Sequence, residues 1–213
     1  MSSNALRSQG MIVQVGTGTG SAKTITAISQ AFSAQVTASN HGFTIGDRVT
    51  FGAVTGMVEI NGLTGIVIDA GTNVFVVNID SRNFTAYTSG GTVTPVTYTE
   101  VLEVLDIAPG GAKVSDIDVS DLKSTAMEFF PGLVDNGDFS LNINYLPSDP
   151  GQAALRTAFQ AGQYMPLKVT APEGTVYSCL AYVNEFPTFP KAAVNKVQTG
   201  TIKFRISGAV TKA

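Results

Sequence analysis

Apolar and polar residues alternate along most of this chain, with the two-residue period of strands rather than the longer period of helices. The clearest case is 138–146 (DFSLNINYL). It sets Phe139, Leu141, Ile143 and Tyr145 on one side and Ser140, Asn142 and Asn144 on the other, as a half-buried strand requires. The second side is short and neutral, suited to a solvated face or to a wet lumen. MIVQV at 11–15 and VTYTEVLEVLDI at 96–107 predict further strands, and the last three are expected at 164–170, 176–185 and 197–207. Glu173-Gly174 and Asn136-Gly137 are tight-turn signals. Phe186-Pro187-Thr188-Phe189-Pro190 must leave the sheet, because Pro cannot donate a ladder hydrogen bond. That loop is expected to plug the end of a barrel or to insert into a neighbour. Residues 108–113 (APGGAK) read as a loop. Residues 114–122 (VSDIDVSDL) mix apolar and acidic positions in imperfect alternation, which predicts a bent or bulged strand.

One helix interrupts this pattern. Asp149 or Ser148 can cap it, Pro150 fits its first turn, and Gly162 is a natural stop. Leu155, Phe159 and the alanines between them form an apolar stripe for packing against a sheet. The helix is expected near 149–162.

Residues 24–94 read as a module of their own, with short strands separated by Gly, Asn and Asp turns at the spacing of a small β-barrel. GTGTG at 16–20, just before it, reads as a turn or flexible loop. It is not a phosphate cradle: Ser21-Ala22 separate the last Gly from Lys23, the spacing is not GxGxxG, and a strand-like run follows where a helix should.

The ordered phrases PGLVDNG, the alternating strand, the helix, and a closing strand, Phe-Pro-rich loop, strand and Gly resemble the tail tube protein of long-tailed bacteriophages. Ile117-Asp118-Val119-Ser120-Asp121-Leu122-Lys123-Ser124-Thr125 is similar to an acidic phrase of the same family. The resemblance covers the N-terminal segment and everything after about Val96, and it skips the middle. The middle instead resembles the compact β-barrel module found inserted in ubiquitin-activating enzymes and in phage structural proteins. That likeness is carried by His41-Gly42-Phe43, Gly46-Asp47-Arg48-Val49, Val54-Thr55-Gly56-Met57, Glu59-Ile60-Asn61-Gly62 and Tyr87-Thr88-Ser89-Gly90-Gly91-Thr92-Val93.

Together these resemblances imply a mainly β protein: a tail-tube-type β-sandwich or barrel with one flanking α-helix, plus a small inserted β-barrel domain. The core would be discontinuous (1–23 and 96–213), with 24–95 inserted at a hairpin connection, where chain ends are close and exposed. The implied function is structural: stacked rings, hexameric in expectation, polymerise into the tail tube, the conduit for genome delivery. The implied partners are further copies of the chain, the tape measure protein and tail-end proteins. DNA would pass through the lumen without specific binding. The implied location is the virion tail, after assembly in the host cytoplasm.

Composition sharpens this picture. Charged residues make up 14% of the chain, against about 25% in typical soluble domains, which suits a subunit that hides much of its surface in an assembly. A net charge of -3 does not suit a nucleic-acid binder. The charge is also uneven. Residues 96–149 carry ten acids against Lys113 and Lys123, whereas 150–213 carry seven bases against Glu173 and Glu185. Such asymmetry suits head-to-tail contact between copies. The candidate lumen or subunit-interface residues are therefore Asp116, Asp118, Asp121 and Glu128 on the acidic side, and Lys191, Lys196 and Lys203 on the basic side.

No catalytic, cofactor-binding or metal-binding residues are expected. His41 is the only histidine and precedes a Gly turn, and Asp47 is expected to bond its own backbone. The lone Cys179 lies in a strand and reads as a buried, inert thiol. Residues 1–10 are polar, without a secretory apolar core, and no apolar run reaches membrane-spanning length, so a start in a reducing cytosol and no membrane insertion are expected. The alternative function is a phage or bacterial surface β protein that binds carbohydrate, against which stand the absence of Trp and of an aromatic cluster. A hydrolase would need organised carboxylates or a Ser-His pair, and nothing organises them here.

Overall fold

The computed structural model describes residues 9–213. The first eight residues of the expected core domain, and most of the polar N-terminal segment, lie outside the described residues. The chain is mainly β, with fifteen strands and one α-helix among the described residues. The strands are β1 Ile12–Thr19, β2 Lys23–Thr24, β3 Ala27–Ile28, β4 Gln35–Thr37, β5 Arg48–Thr55, β6 Thr64–Ala70, β7 Val74–Val77 and β8 Ser89–Glu100. There follow β9 Val104–Pro109, β10 Lys113–Asp118, β11 Phe129–Asp135, β12 Asp138–Asn144, α1 Pro150–Ala161, β13 Tyr164–Thr170, β14 Val176–Glu185 and β15 Thr199–Lys212. The ladders of β1 with β8 and β13, of β5 with β6 and β8, and of β12 with β9 and β15 are all antiparallel.

Two compact units share these elements. The first takes the chain through Val101 together with Met165–Cys179 and Thr211–Ala213. Its strand order runs β3-β4-β7-β6-β5-β8-β1-β13-β14, and β2 also pairs with β8. The β2 end of the Lys23–Ile28 segment lies on β8 and its β3 end on β4, so the strands from β2 to β8 close on themselves as a small barrel. Closure leaves no bare edge. The barrel interior is one apolar cluster, with Phe51, Phe75, Met57 and Ile60 at 2% exposure or less. His41 packs into it, its ring 4.9 Å from that of Phe43 and 5.0 Å from that of Phe75, and its Nδ1 accepts from the Phe43 N–H at 3.0 Å.

β8 joins this barrel to the rest of the unit. Its first half pairs with β5, from Ser89 to Pro95, and its second half with β1, from Val96 to Glu100. The Gly20 N–H donates to the Pro95 carbonyl at 2.8 Å. The chain thus leaves β1 and returns through β8 at adjacent points, as an insertion into a hairpin connection requires.

Three expectations need correction. Residues 16–20 are not a loop: β1 runs on through Thr19, with a register shift between Gly16 and Gly18. Gly16 is needed there, because a Cβ would sit 2.8 Å from Val96 Cγ1 and 2.9 Å from Pro166 Cδ. The run at 96–107 is not one strand but the end of β8 and all but the last two residues of β9, broken at Glu103, whose φ is 63°. β9 then continues to Pro109, so the following loop is shorter than expected.

The second unit holds Leu102–Tyr164 and Leu180–Val210. Its sheet has the order β14-β15-β12-β9, and β10-β11 forms a separate two-stranded sheet. Leu141, Ile143, Ile202, Phe204 and Leu155 are fully buried, so β12 turns its apolar side inward as its alternation predicted. Phe139 stacks on Phe204 with ring centroids 4.6 Å apart.

The two ends of the helix lie where the sequence placed them. Asp149 caps α1, its carboxylate accepting from the Gln152 N–H at 2.7 Å, and Gly162 closes it at φ 61°. The buried stripe is Gln152, Leu155 and Ala158, while Phe159 is partly exposed. Gln152 serves on the inner face as a polar anchor. Its amide donates to the carbonyls of Leu102 and Asn144 and accepts from the Leu146 N–H, all within 3.1 Å, which satisfies loop backbone that would otherwise be buried unpaired.

Candidate subunit interface

β10 and β11 pair from Lys113↔Asp135 to Asp118↔Phe129, with a bulge between Val114 and Asp116. The imperfect alternation predicted that bulge. Two local features produce it: Pro131 opposite Asp116 offers no N–H, and Gly132 lets the strands close in, since a Cβ there would collide with Ser115 Oγ. Every residue of β10 is exposed, and so is every residue of β11 except Gly132. The hairpin is nonetheless rich in apolar side chains, with Ile117, Phe129, Phe130 and Leu133 on its strands and Leu122 and Met127 at its tip, all exposed. A lone two-stranded hairpin is marginal in water, and contiguous bare apolar surface of this kind marks an interaction site.

The tip is organised by its own polar groups. The Asp118 carboxylate accepts from the Ser120 N–H at 2.9 Å, and that of Asp121 from the Lys123 N–H at 2.7 Å. The Ser120 backbone N–H, followed by its side chain, holds the Asp118 carboxyl below the usual carboxylate range. The Glu128 N–H donates to Ser120 Oγ at 2.9 Å. Asp118 and Asp121 therefore shape the turn. Asp116 and Glu128 have no side-chain hydrogen bond among the described residues, so their oxygens are open to an incoming donor.

The basic residues divide differently. Lys191 and Lys196 share the loop between β14 and β15, which closes on itself through paired Lys191 and Thr199 backbones at 2.7 and 3.0 Å. At its start the Phe-Pro segment has one buried ring and one exposed ring: Phe186 is buried, while Phe189 is 83% exposed. A groove of about 410 Å³ opens beside this loop, lined by Leu105, Asn142, Pro187, Phe189, Lys191 and Thr201 among others. A second hollow lined by Lys196 and Val197 shares Lys191 and Thr199 with it. Lys203 stands apart on β15. Its ammonium is 2.6 Å from Glu185, and the hydrogen bond to that carboxylate raises its pKa. Arg205 is likewise paired, with Asp135. The structure thus gathers the four candidate acids on one hairpin and two of the three candidate lysines on one loop, and it gives the third lysine a partner of its own.

Sequence reasoning missed a contact inside the first unit. Asp47 bonds its own turn as expected, accepting from the Thr44 N–H at 2.8 Å. Its other oxygen takes the Lys168 ammonium at 2.7 Å, with both side chains at least 85% covered. Beside this pair the Ser178 hydroxyl donates to the Gly46 carbonyl at 2.6 Å, and a Cβ on Gly46 would collide with Val176 Cγ1. A Gly-Asp turn in the barrel and a Lys in β13 carry no mark that pairs them. Burial pushes the Cys179 thiol up to about 11 and the Tyr98 hydroxyl up to about 12. At neutral pH Cys179 is therefore a protonated, poorly nucleophilic thiol. No group of three or more metal-ligating side chains occurs among the described residues, and no helix among them is long and apolar enough to cross a membrane.

A mainly β chain with one α-helix among the described residues, bearing an exposed hairpin rich in apolar side chains, has the character of a building block. The family model for the lambda phage tail tube protein matches residues 82–213, more than half of the chain. The chain belongs to that family, a family of structural proteins of the virion tail. Residues 34–97 match a second model, the FCCH domain of ubiquitin-activating enzyme E1, so the barrel is similar to that domain. Among solved structures, a chain of the virion of a native gene transfer agent particle aligns at 14% identity and a TM-score of 0.45, covering 55% of this chain and 88% of that one. A chain of the anti-feeding prophage baseplate aligns at 9% identity and a TM-score of 0.41, covering 80% and 94%. No curated protein matches the chain.

Proposed function

We propose that this protein polymerises as stacked, hexameric rings into a tail tube that conducts the genome. The observation that carries the reading is the β10–β11 hairpin. It is held at its tip by its own hydrogen bonds, carries six large apolar side chains in the open, and pairs with no other strand among the described residues. Such a surface is stable in an assembly and a liability outside one. Family membership supports the same reading.

In this function the chain's partners are further copies of itself, the tape measure protein and tail-end proteins, and assembly takes place in the host cytoplasm. DNA passes without specific binding, because a chain of net charge -3 offers no surplus of cations to neutralise phosphates. Residues 24–95 form the inserted domain, and 1–23 with 96–213 form the tube core. The adjacent chain path at Gly20 and Pro95 supports that division. Of the seven charged candidates, Asp116, Glu128, Lys191 and Lys196 belong to contacts between copies rather than to a lumen lining, since the acids sit among the exposed apolar residues of the hairpin, whereas Asp118 and Asp121 shape the turn and Lys203 pairs with Glu185.

Negative-stain electron microscopy of the purified protein tests the reading. Rings or tubes are expected from the wild type, and a dispersed, folded monomer from Leu122→Asp combined with Phe130→Asp. A wild type that stays monomeric at high concentration would overturn it.

A further inference from the structure

We propose that the hairpin tip of one copy seats in the groove beside the Phe-Pro loop of a second copy, with Leu122 and Met127 against Phe189 and Pro187 and with Asp116 and Glu128 facing Lys191 and Lys196. The inference rests on the tube reading and names the two surfaces that meet.

Apolar chemistry and charge agree. Leu122 is fully exposed at the tip. The groove offers Leu105, Pro187 and Phe189 as an apolar floor and wall, and its volume of about 410 Å³ lies in the range of pockets that enclose several side chains. Asp116 and Glu128 lack side-chain hydrogen-bond partners among the described residues, and Lys191 and Lys196 have no carboxylate within ion-pair distance among them. Glu185, which lines the groove, is occupied by Lys203 and so does not repel an acidic visitor as a free carboxylate would. The hairpin also has the reach, since a strand of six residues such as β10 spans about 20 Å at ~3.4 Å per residue.

Charge argues against the simplest competitor, in which two hairpins pair with each other. Asp116, Asp118, Asp121 and Glu128 of one copy would then face the same four acids of the other, with Lys123 the only base on each tip, and like charges placed opposite one another repel. Hairpin and groove are different patches, so their contact is head-to-tail. Head-to-tail contacts repeat, closing as rings or running on as filaments, which is what a stacked tube needs.

Two single-cysteine additions, Leu122→Cys in one preparation and Phe189→Cys in another, test the contact when mixed before assembly and oxidised afterwards. A disulfide forms only when Cα atoms approach to about 4.4–6.8 Å, so it reports seating rather than proximity. Cys179, half-buried and protonated at neutral pH, is present in every preparation as the internal background, and the wild type should give no covalent dimer. A second pair, Met127→Cys with Pro187→Cys, guards against a strained first pair. Expected is a covalent dimer in up to about half of the subunits of the mixed assemblies, the limit set by random mixing, and almost none in either preparation alone. Tubes that form normally while neither pair cross-links would overturn the seating and leave the tube reading intact. Cross-linking of Leu122→Cys by itself would establish hairpin-to-hairpin contact instead. Failure of wild-type protein to form any tube would remove the tube reading and the seating with it.

Discussion

The small barrel and the β10–β11 hairpin are made of similar residues and use them in opposite ways. Both are built of short strands rich in Val, Ile and Phe. In the barrel, Phe51 and Phe75 are buried to within 2%, and the Lys23–Ile28 segment, paired with β8 at one end and with β4 at the other, closes the strand set. In the hairpin, Phe129 and Phe130 are in the open and each strand has one neighbour. The difference is closure. A strand set that returns to its own start buries its apolar face within one chain, whereas one that cannot return must find its cover in another. The barrel therefore buries its apolar face within a single chain, whereas the hairpin leaves its own exposed.

The largest expected effect separates the two directly. Phe51→Ala should cost about 3–5 kcal/mol of folding stability, the usual loss for deleting a buried Phe side chain. Phe130→Ala should shift it by no more than about 0.5 kcal/mol, as for an exposed site. Urea unfolding of the monomers measures both. Assembly should respond the other way, with Phe130→Ala slowing tube formation far more than it affects folding. A Phe130→Ala monomer destabilised by more than about 2 kcal/mol would mean that the hairpin already packs within its own chain, and the comparison would fail.

Next in size is the contact that fixes the barrel within the first unit. Asp47→Ala leaves the Lys168 ammonium covered and unpaired, which typically costs about 3–5 kcal/mol, while adding Lys168→Met should recover most of the loss. Excision of the barrel gives the control. Joining the chain across 24–94 with a short Gly-Ser linker removes Asp47 together with Gly46, which lies against the Lys168 side chain, so the ammonium meets water and the excised chain should fold with Lys168 in place. A Lys168→Met change that stabilises Asp47→Ala no more than it stabilises the excised chain would show that the pair contributes nothing.

Local chemistry made much of this legible in the sequence. The cap at Asp149, the stop at Gly162, the face of β12 and the bulge in β10 each follow from residues within a few positions of one another. What escaped depends on residues far apart. Whether Phe129 and Phe130 are inside or outside turns on whether any other strand reaches β11, and no local pattern encodes that. The Asp47–Lys168 pair joins positions 121 residues apart. Gln152 on the helix's inner face was unreadable for the same reason, since its value lies in carbonyls of Leu102 and Asn144 that the chain brings near it. Glycines misled for a different reason. In β1 they allow close approach of strands, whereas the sequence suggested a turn.

A smaller effect concerns alkaline pH and belongs to the first unit alone. Burial raises Cys179 to about 11 and Tyr98 to about 12, against about 8.5 and 10 when unfolded. The folded state thus holds protons that the unfolded state has released, so stability falls as pH rises through this window. For each group the loss begins above its unfolded value and ends at its folded one, with a slope of at most about 1.4 kcal/mol per pH unit. Urea midpoints of the monomer should therefore decline between about pH 8.5 and about 12, and Cys179→Ala should make the decline shallower below about pH 11. A flat profile would show that neither proton is held by burial. The hairpin, whose groups are solvated, should contribute nothing to this slope.

The smallest expected effect is on the rate of assembly. Lys191→Glu with Lys196→Glu should slow polymerisation severalfold while leaving the monomer folded, because both side chains lie on an exposed loop without partners among the described residues. Lys203 is best left in place: reversing it would break its pair with Glu185 inside the monomer and confuse the two effects. Raised salt should slow the wild type in the same direction, as screening shortens the reach of exposed charges to a few ångströms at molar salt. Each exposed pair contributes only about 0–1 kcal/mol, so finished tubes should survive both changes, held by apolar contacts and main-chain pairing. Time courses of light scattering at several salt concentrations give the rates, and pelleting of preformed tubes gives their persistence. If the rates prove indifferent to charge reversal and to salt alike, the separation of acids on the hairpin from bases on the loop is incidental, and apolar cover alone completes the hairpin.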